Sequence, residues 1–273
     1  MQNQGWASPD VQYVTKAPAV KSGDVKTLGV DLAAATKKTA VAVLEWDAGA
    51  ARLEHLALDV GDTEIVELFG SSSMTGIDCP VGWPDAFLPF LAGHLNFDAL
   101  PVLDHDGIEG RRLLAYRDTD RFVTGLTGLI PLSVSADRLA HPAMRCAVIQ
   151  AKIAAGYGPQ ARDGSGRLAE VYPAASLKTW GLLARGYKGG RAPEAERLGV
   201  LLDHLAAAAP WLDLAGHEDR LAASDDLFDA VIASLTARAV SLGQTLRPPE
   251  PYAAAALTEG WIHVPSGGLA SLG

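Results

Sequence analysis

Residues 26–46, KTLGVDLAAATKKTAVAVLEW, decide how the rest of the chain is read. Their first run, KTLGVDL (26–32), has the pattern of a short buried strand ending on an acid, Asp31. Their second, TAVAVLEW (39–46), is β-branched and apolar, the composition of a neighbouring strand. Asp47–Ala48–Gly49 is a hairpin signal, and ARLEHLALDV (51–60) alternates apolar and polar residues as a third strand does. Asp62 and Thr63 are residues that cap a helix, and Ile65, Val66, Leu68 and Phe69 supply its apolar side. MTGIDC (74–79) follows as a fourth strand, again with an acid, Asp78, at its C-terminal end, and Pro80 and Pro84 stop it.

Further out, residues 85–158 are helical and loop-rich, which predicts a helical insertion over about 85–160. RLAEVY (167–172) is a fifth strand ended by Pro173. Helices are expected over 174–183, 194–207 and 224–240, the last with Ser224 as N-cap and acids in its first turn, where the helix dipole favours them. The order β-β-β-α-β-α-β-α predicts an α/β fold of ribonuclease-H-like type: a mixed sheet with helices on both faces. The expected division is a loosely held extension over 1–25, the domain over 26–247, and a tail over 248–273 that opens with Pro248, Pro249 and Pro251.

The 273 residues are 48% hydrophobic and 20% charged, enough apolar material for a core and too much for a disordered chain. The net charge of −9 argues against a general polyanion-coating protein, although a nuclease can be acidic because its metal-binding carboxylates are. Two cysteines, Cys79 and Cys146, make no disulfide scaffold and point to a reducing, cytoplasmic setting. No apolar run reaches about 18 residues, so no membrane span is expected, and the N-terminus lacks a signal-peptide pattern. No zinc-type His or Cys spacing, phosphate loop or GxGxxG occurs, and Ser71–Ser73 have no nucleophile-elbow context.

The acids carry the chemistry. Asp31 and Asp78 end strands that would be neighbours, and Asp226 and Asp229 lie three apart on one helix face. Laid across the sheet edge, that helix would bring them to the same point. Clustered carboxylates need a cation, and hard oxygen donors suit Mg²⁺ or Mn²⁺. Such ions activate water and stabilise the leaving oxygen in phosphodiester hydrolysis. The competing reading is that each acid caps a turn or serves a helix dipole.

Five pieces in order, GVDLAAATKKTAVAV, GIDCPVGWP, YRDTDR, EVYPAASLKTWGL with YK soon after, and DDLFDAVIASLTAR, make residues 26–241 resemble the domain-of-unknown-function 429 family, described as predicted nucleases of ribonuclease-H-like fold. Asp226-x-x-Asp229-Ala230 also resembles the last acidic motif of RuvC-type resolvases. The resemblance implies a metal-dependent nuclease core with Asp31, Asp78 and Asp229 as ligands, Asp226 as a fourth acid, and nucleic acid, DNA or RNA, as substrate. Glu170, in the EVYP piece, is a further catalytic candidate, with a buried salt bridge to an arginine such as Arg117 as its alternative. Glu64 and Glu67 fall on the helix where ribonuclease H has its glutamate, but in no distinctive motif.

Seven basic residues against three acids between Arg111 and Lys152, and a second basic stretch over 176–197, could form a phosphate-binding wall. Arg117 and Lys188 are its best candidates. Trp83, just beyond Asp78, could stack a base, or could cover the core as Tyr172 and Trp180 could. Two rival functions share the scaffold: a sugar-kinase or actin-like ATPase, and a non-catalytic binding module. Against the ATPase, Ala33–Ala35 stand where glycines would admit phosphate, and the chain holds one core where such proteins have two.

Overall fold

The computed structural model describes residues 25–135 and 137–273, so the extension expected over residues 1–25 lies, except for Val25, outside the described residues. The meander is formed as expected by β1 (Val25–Asp31), β2 (Ala40–Asp47) and β3 (Ala50–Leu58), paired antiparallel. Ala48 and Gly49 turn the second corner with φ values of 45° and 84°, the positive pair that a two-residue hairpin needs. Helix α1 (Asp62–Ser71) leads to β4 (Met74–Asp78), which pairs parallel to β1. β5 (Leu168–Val171) pairs parallel to β4. This is the order and polarity of a ribonuclease-H-like sheet. Two strands of two residues each extend it, β6 (Leu212–Asp213) beside β3 and β7 (Ile262–His263) beside β5, giving β6-β3-β2-β1-β4-β5-β7.

Pleating sends alternate residues to opposite faces. Leu28, Val30, Val41 and Ile77 pack on one face with Ile65 and Phe69 of α1 and with Cys146, Ile149 and Ile153 of α6 (Ala140–Tyr157). On the other face Ala42, Leu44 and Leu53 meet α7 (Pro173–Thr179), α8 (Ala192–Ala208), α9 (Glu218–Ala223) and α10 (Asp225–Ser241). The expected insertion is therefore of two kinds. Helices α2 (Phe87–Asn96), α3 (Ala99–Leu103) and α4 (Gly107–Ala115) pack on one another and leave Leu88, Leu95, Phe97 and Leu100 exposed, whereas α6 is a full layer of the core. Between them, α5 (Asp118–Thr127) packs on α7 and on α11 (Ala253–Glu259).

The stretch 248–273 is more than a tail: it supplies α11 and β7, and Trp261, Val264, Leu269 and Leu272 are buried. Asp62 differs from expectation too. Gly61 holds the N-cap position of α1, and the Asp62 carboxylate instead binds Arg145 at 2.8 Å and Lys152 at 2.8 Å, tying α1 to α6.

Helix α10 lies across the middle of the sheet. Ser224 caps it as expected, accepting from the Leu227 amide at 3.3 Å. Gly29 of β1 and Gly76 of β4 are directly paired, and both lie under this helix. A Cβ on Gly29 would come within 1.9 Å of the Ala230 carbonyl oxygen, and one on Gly76 within 2.5 Å of that of Ala233. The missing side chains let the helix backbone settle onto the strands. A hydroxyl thread fixes its setting: Trp46 Nε1 donates to Thr27 Oγ1 (2.9 Å), Thr27 Oγ1 meets Ser234 Oγ (2.8 Å), and Ser234 Oγ donates to the Thr27 carbonyl (2.9 Å).

Candidate metal centre

Asp31 and Asp78 are the last residues of adjacent parallel strands and stand in register with each other. Two-residue alternation places Asp31 on the face of Gly29, and Asp78 on that of Gly76, so both carboxylates rise toward α10. Asp229, on the second turn of α10, comes down from the helix above. One carboxylate oxygen from each of the three lies within 4.8 Å of the others. Asp229 is fully buried, while Asp31 and Asp78 border a cavity of about 460 Å³.

Burial, then the charges of Asp229 and Asp78, raise the Asp31 carboxyl well above the ordinary carboxylate range, with Lys188 pulling the other way. Burial raises Asp78 to about 7 against Lys188, with Asp229 and Glu170 adding to the rise. Asp229 is raised by burial and held down in part by Lys188 and by hydrogen bonding. Without a cation, then, the cluster resists full ionisation.

The loop between α7 and α8 supplies two partners. Tyr187 is buried and donates its hydroxyl to Asp229 Oδ1 at 2.8 Å, and burial followed by the Asp229 charge raises its phenol. The Lys188 ammonium lies against Asp229 Oδ2 as an ion pair. Burial works to lower Lys188, but Asp229, Tyr187, Asp78 and Asp31 raise it well above the usual range and keep it charged. The Asp229 Oδ2 atom is buried and has the Lys188 ammonium as its counter-charge. A buried carboxylate oxygen in that setting, beside two more carboxylates, is the donor set of a hard divalent cation, so the residues fit Mg²⁺ or Mn²⁺.

The other expected site residues go elsewhere. Asp226 does not join the three; its carboxylate is 3.1 Å from Lys38. Glu170 is buried and lines the same cavity, but Arg117 takes both its oxygens, at 2.6 and 2.7 Å, and the Val81 amide donates to it at 3.1 Å. The salt-bridge alternative is therefore the observed one, and Glu170 is not among the three clustered carboxylates. Arg117 is itself 1% exposed and binds Asp120 through Nε and Nη2 and the Glu259 carbonyl through Nη1. Its guanidinium is spent on the buried Asp120–Arg117–Glu170 group and offers nothing to a phosphate.

Trp83 is half-buried and does not line the cavity, whereas Tyr172 does. Trp180 packs on the core with α8 to α10. Glu64 pairs with His55 at 3.3 Å and lies outside the cluster, as does Glu67. Much of the expected basic wall closes on itself: Arg145 and Lys152 on Asp62, Arg112 on Glu109, and Arg121 on Asp118. Of the basic residues, Arg185 and Lys188 line the cavity along with Arg117.

Sequence reasoning missed Gly29, Gly76 and Tyr187. The glycines had a signal, since LGVD and TGID each place a glycine two residues before the strand-end acid, on the same face. Tyr187 had none beyond its place next to Lys188.

No helix among the described residues is long and apolar enough to cross a membrane. No curated protein and no solved structure matches the chain. One family model does, over residues 29–253, a span that takes in all three clustered aspartates, Tyr187 and Lys188. The chain belongs to the family described as "Protein of unknown function (DUF429)".

Proposed function

We propose that this protein is a divalent-metal-dependent nuclease that hydrolyses phosphodiester bonds at the Asp31–Asp78–Asp229 cluster. The observation that carries the reading is the convergence of three carboxylates at the edge of an open cavity, one of them fully buried and countered by a single ammonium. Asp31, Asp78 and Asp229 would hold Mg²⁺ or Mn²⁺. When bound, the ion supplies the positive charge that activates water and stabilises a leaving oxygen. Tyr187 orients Asp229 by donating to Oδ1. Arg185 and Lys188 are the cations at the cavity available to phosphate oxygens.

The test is thermal unfolding with Mg²⁺ or Mn²⁺, followed by cleavage of single-stranded and branched DNA and RNA. Metal at saturating concentration should raise Tm by about 2–4 °C or more, because it binds the native state. Asp31→Asn should lose most of that rise and all cleavage. Cleavage undiminished in that variant removes Asp31 from the mechanism.

A non-catalytic binding module on the same scaffold has one observation in its favour: Lys188 already offsets part of the cluster's charge. A protein whose Tm ignores divalent ions and which cleaves nothing fits that second reading. The ATPase alternative has less support, since the described residues form one sheet; ATP turnover without nuclease activity would revive it.

A further inference from the structure

Lys188 stands where a metal ion would bring its charge, and the surroundings determine what it can do there. Its ammonium rests on Asp229 Oδ2, inside the only group of three or more potential ligand residues found among the described residues. A divalent ion and an ammonium at the same oxygen repel each other at contact distance. One must leave when the other enters.

The side chain has a way out. It is 49% exposed, so the ammonium can reach water by rotating its four-carbon stem. The backbone, by contrast, is pinned. The Gly189 amide donates to Asp225 Oδ2 at 3.1 Å, Arg197 Nη1 donates to the Gly186 carbonyl at 3.3 Å, and Tyr187 is held on Asp229. Gly186, Gly189 and Gly190 have φ values of 81°, 124° and 68°, a left-handed path suited to glycine. A swing of Lys188 therefore carries its charge from the cluster to the cavity mouth and no further. Arg117 makes the contrast: also paired with acids, it is enclosed and bonded at every nitrogen.

We propose that Lys188 is a resident counter-cation, seated on Asp229 when no divalent ion is bound and displaced to the cavity mouth when one binds, so that an ammonium for phosphate oxygens is released only after the cluster is loaded. This rests on the reading of the cluster as a divalent-metal site. Against three ionised carboxylates, Lys188 alone leaves an excess of two negative charges and a divalent ion alone leaves one, so the ion neutralises the cluster better than the ammonium it displaces. Lys188 is thus a positioning residue for metal and a binding residue for substrate in turn.

The experiment is reductive methylation of the full chain with and without Mg²⁺, read residue by residue by mass spectrometry, alongside Tm measured over the same Mg²⁺ series. Lys188 should become several-fold more reactive over the Mg²⁺ range that raises Tm, with Lys152 and Lys178 unchanged as controls. In Lys188→Met the Mg²⁺ concentration giving half the Tm rise should fall roughly tenfold, since a competing charge is gone. Lys188 reactivity that stays flat or falls while Tm rises overturns the displacement and leaves the metal site standing. A Tm rise in Lys188→Met but none in the parent chain also overturns it, because the lysine is then a permanent substitute. No Tm rise in either protein overturns both the proposal and the metal reading.

Discussion

Burial lifts the Asp78 carboxyl to about 7, against the pull of Lys188, so this group holds its proton more tightly folded than unfolded. Such a group stabilises the fold below its unfolded pKa of about 4, and the contribution is lost as pH rises through its folded value. Metal-free protein should accordingly lose Tm as pH rises from about 4 through about 7, and level off above that. Saturating Mg²⁺ should flatten that fall, because the ion takes the proton's place; a fall of equal slope with and without Mg²⁺ would separate the cation from these carboxylates. Arg117 makes a second prediction. Arg117→Ala leaves Asp120 and Glu170 buried without their partner and should cost about 3–5 kcal/mol in urea unfolding. The pairing of Glu170 with Arg117 was open to sequence reasoning as one of two alternatives. Which one wins depends on α5 reaching β5 across the insertion, a contact that no local pattern encodes.

At the level of elements, the site depends on how closely α10 sits on β1 and β4. Gly29→Ala should press a methyl group onto the Ala230 carbonyl and the Ser234 amide, backbone atoms that cannot rotate away. We expect a loss of about 1–3 kcal/mol, typical of overpacking, together with a weakened Mg²⁺ response as Asp229 is lifted. Denaturant titration with and without Mg²⁺ checks both parts, and a variant as stable and as responsive as the parent would show that the seat has slack. β1 to β5 and α10 were legible because each is a short apolar run bounded by an acid, a turn or a proline, an alternating strand, or a capped helical run. β6 and β7 were not, since two residues carry no periodicity and their neighbours in the sheet fix them.

Across the whole molecule, charge and apolar surface are distributed differently from what composition alone implies. The basic stretch over 111–152 looked like a wall for phosphate, but spacing cannot tell a solvated arginine from one tied to an acid in a neighbouring helix. With those cations paired and a net charge of −9, metal-free protein should bind single-stranded nucleic acid weakly, and binding should strengthen on adding Mg²⁺ at constant ionic strength. Fluorescence anisotropy with a labelled oligonucleotide tests this; tight binding in EDTA would contradict it. The stretch 248–273 was misread for a related reason: its prolines announce an irregular start, while the burial of Trp261 and Leu272 depends on surfaces supplied by earlier parts of the chain.

The hydroxyl thread of Trp46, Thr27 and Ser234 has a consequence beyond its few hydrogen bonds. The paired glycines set how close the helix lies, but which way it faces matters as much: a turn of about 100°, one residue's worth, would aim Asp229 away from its two companions. The thread works like the key in a shaft: it resists that rotation, and so the azimuth of one carboxylate is set more than a helical turn from where it is used.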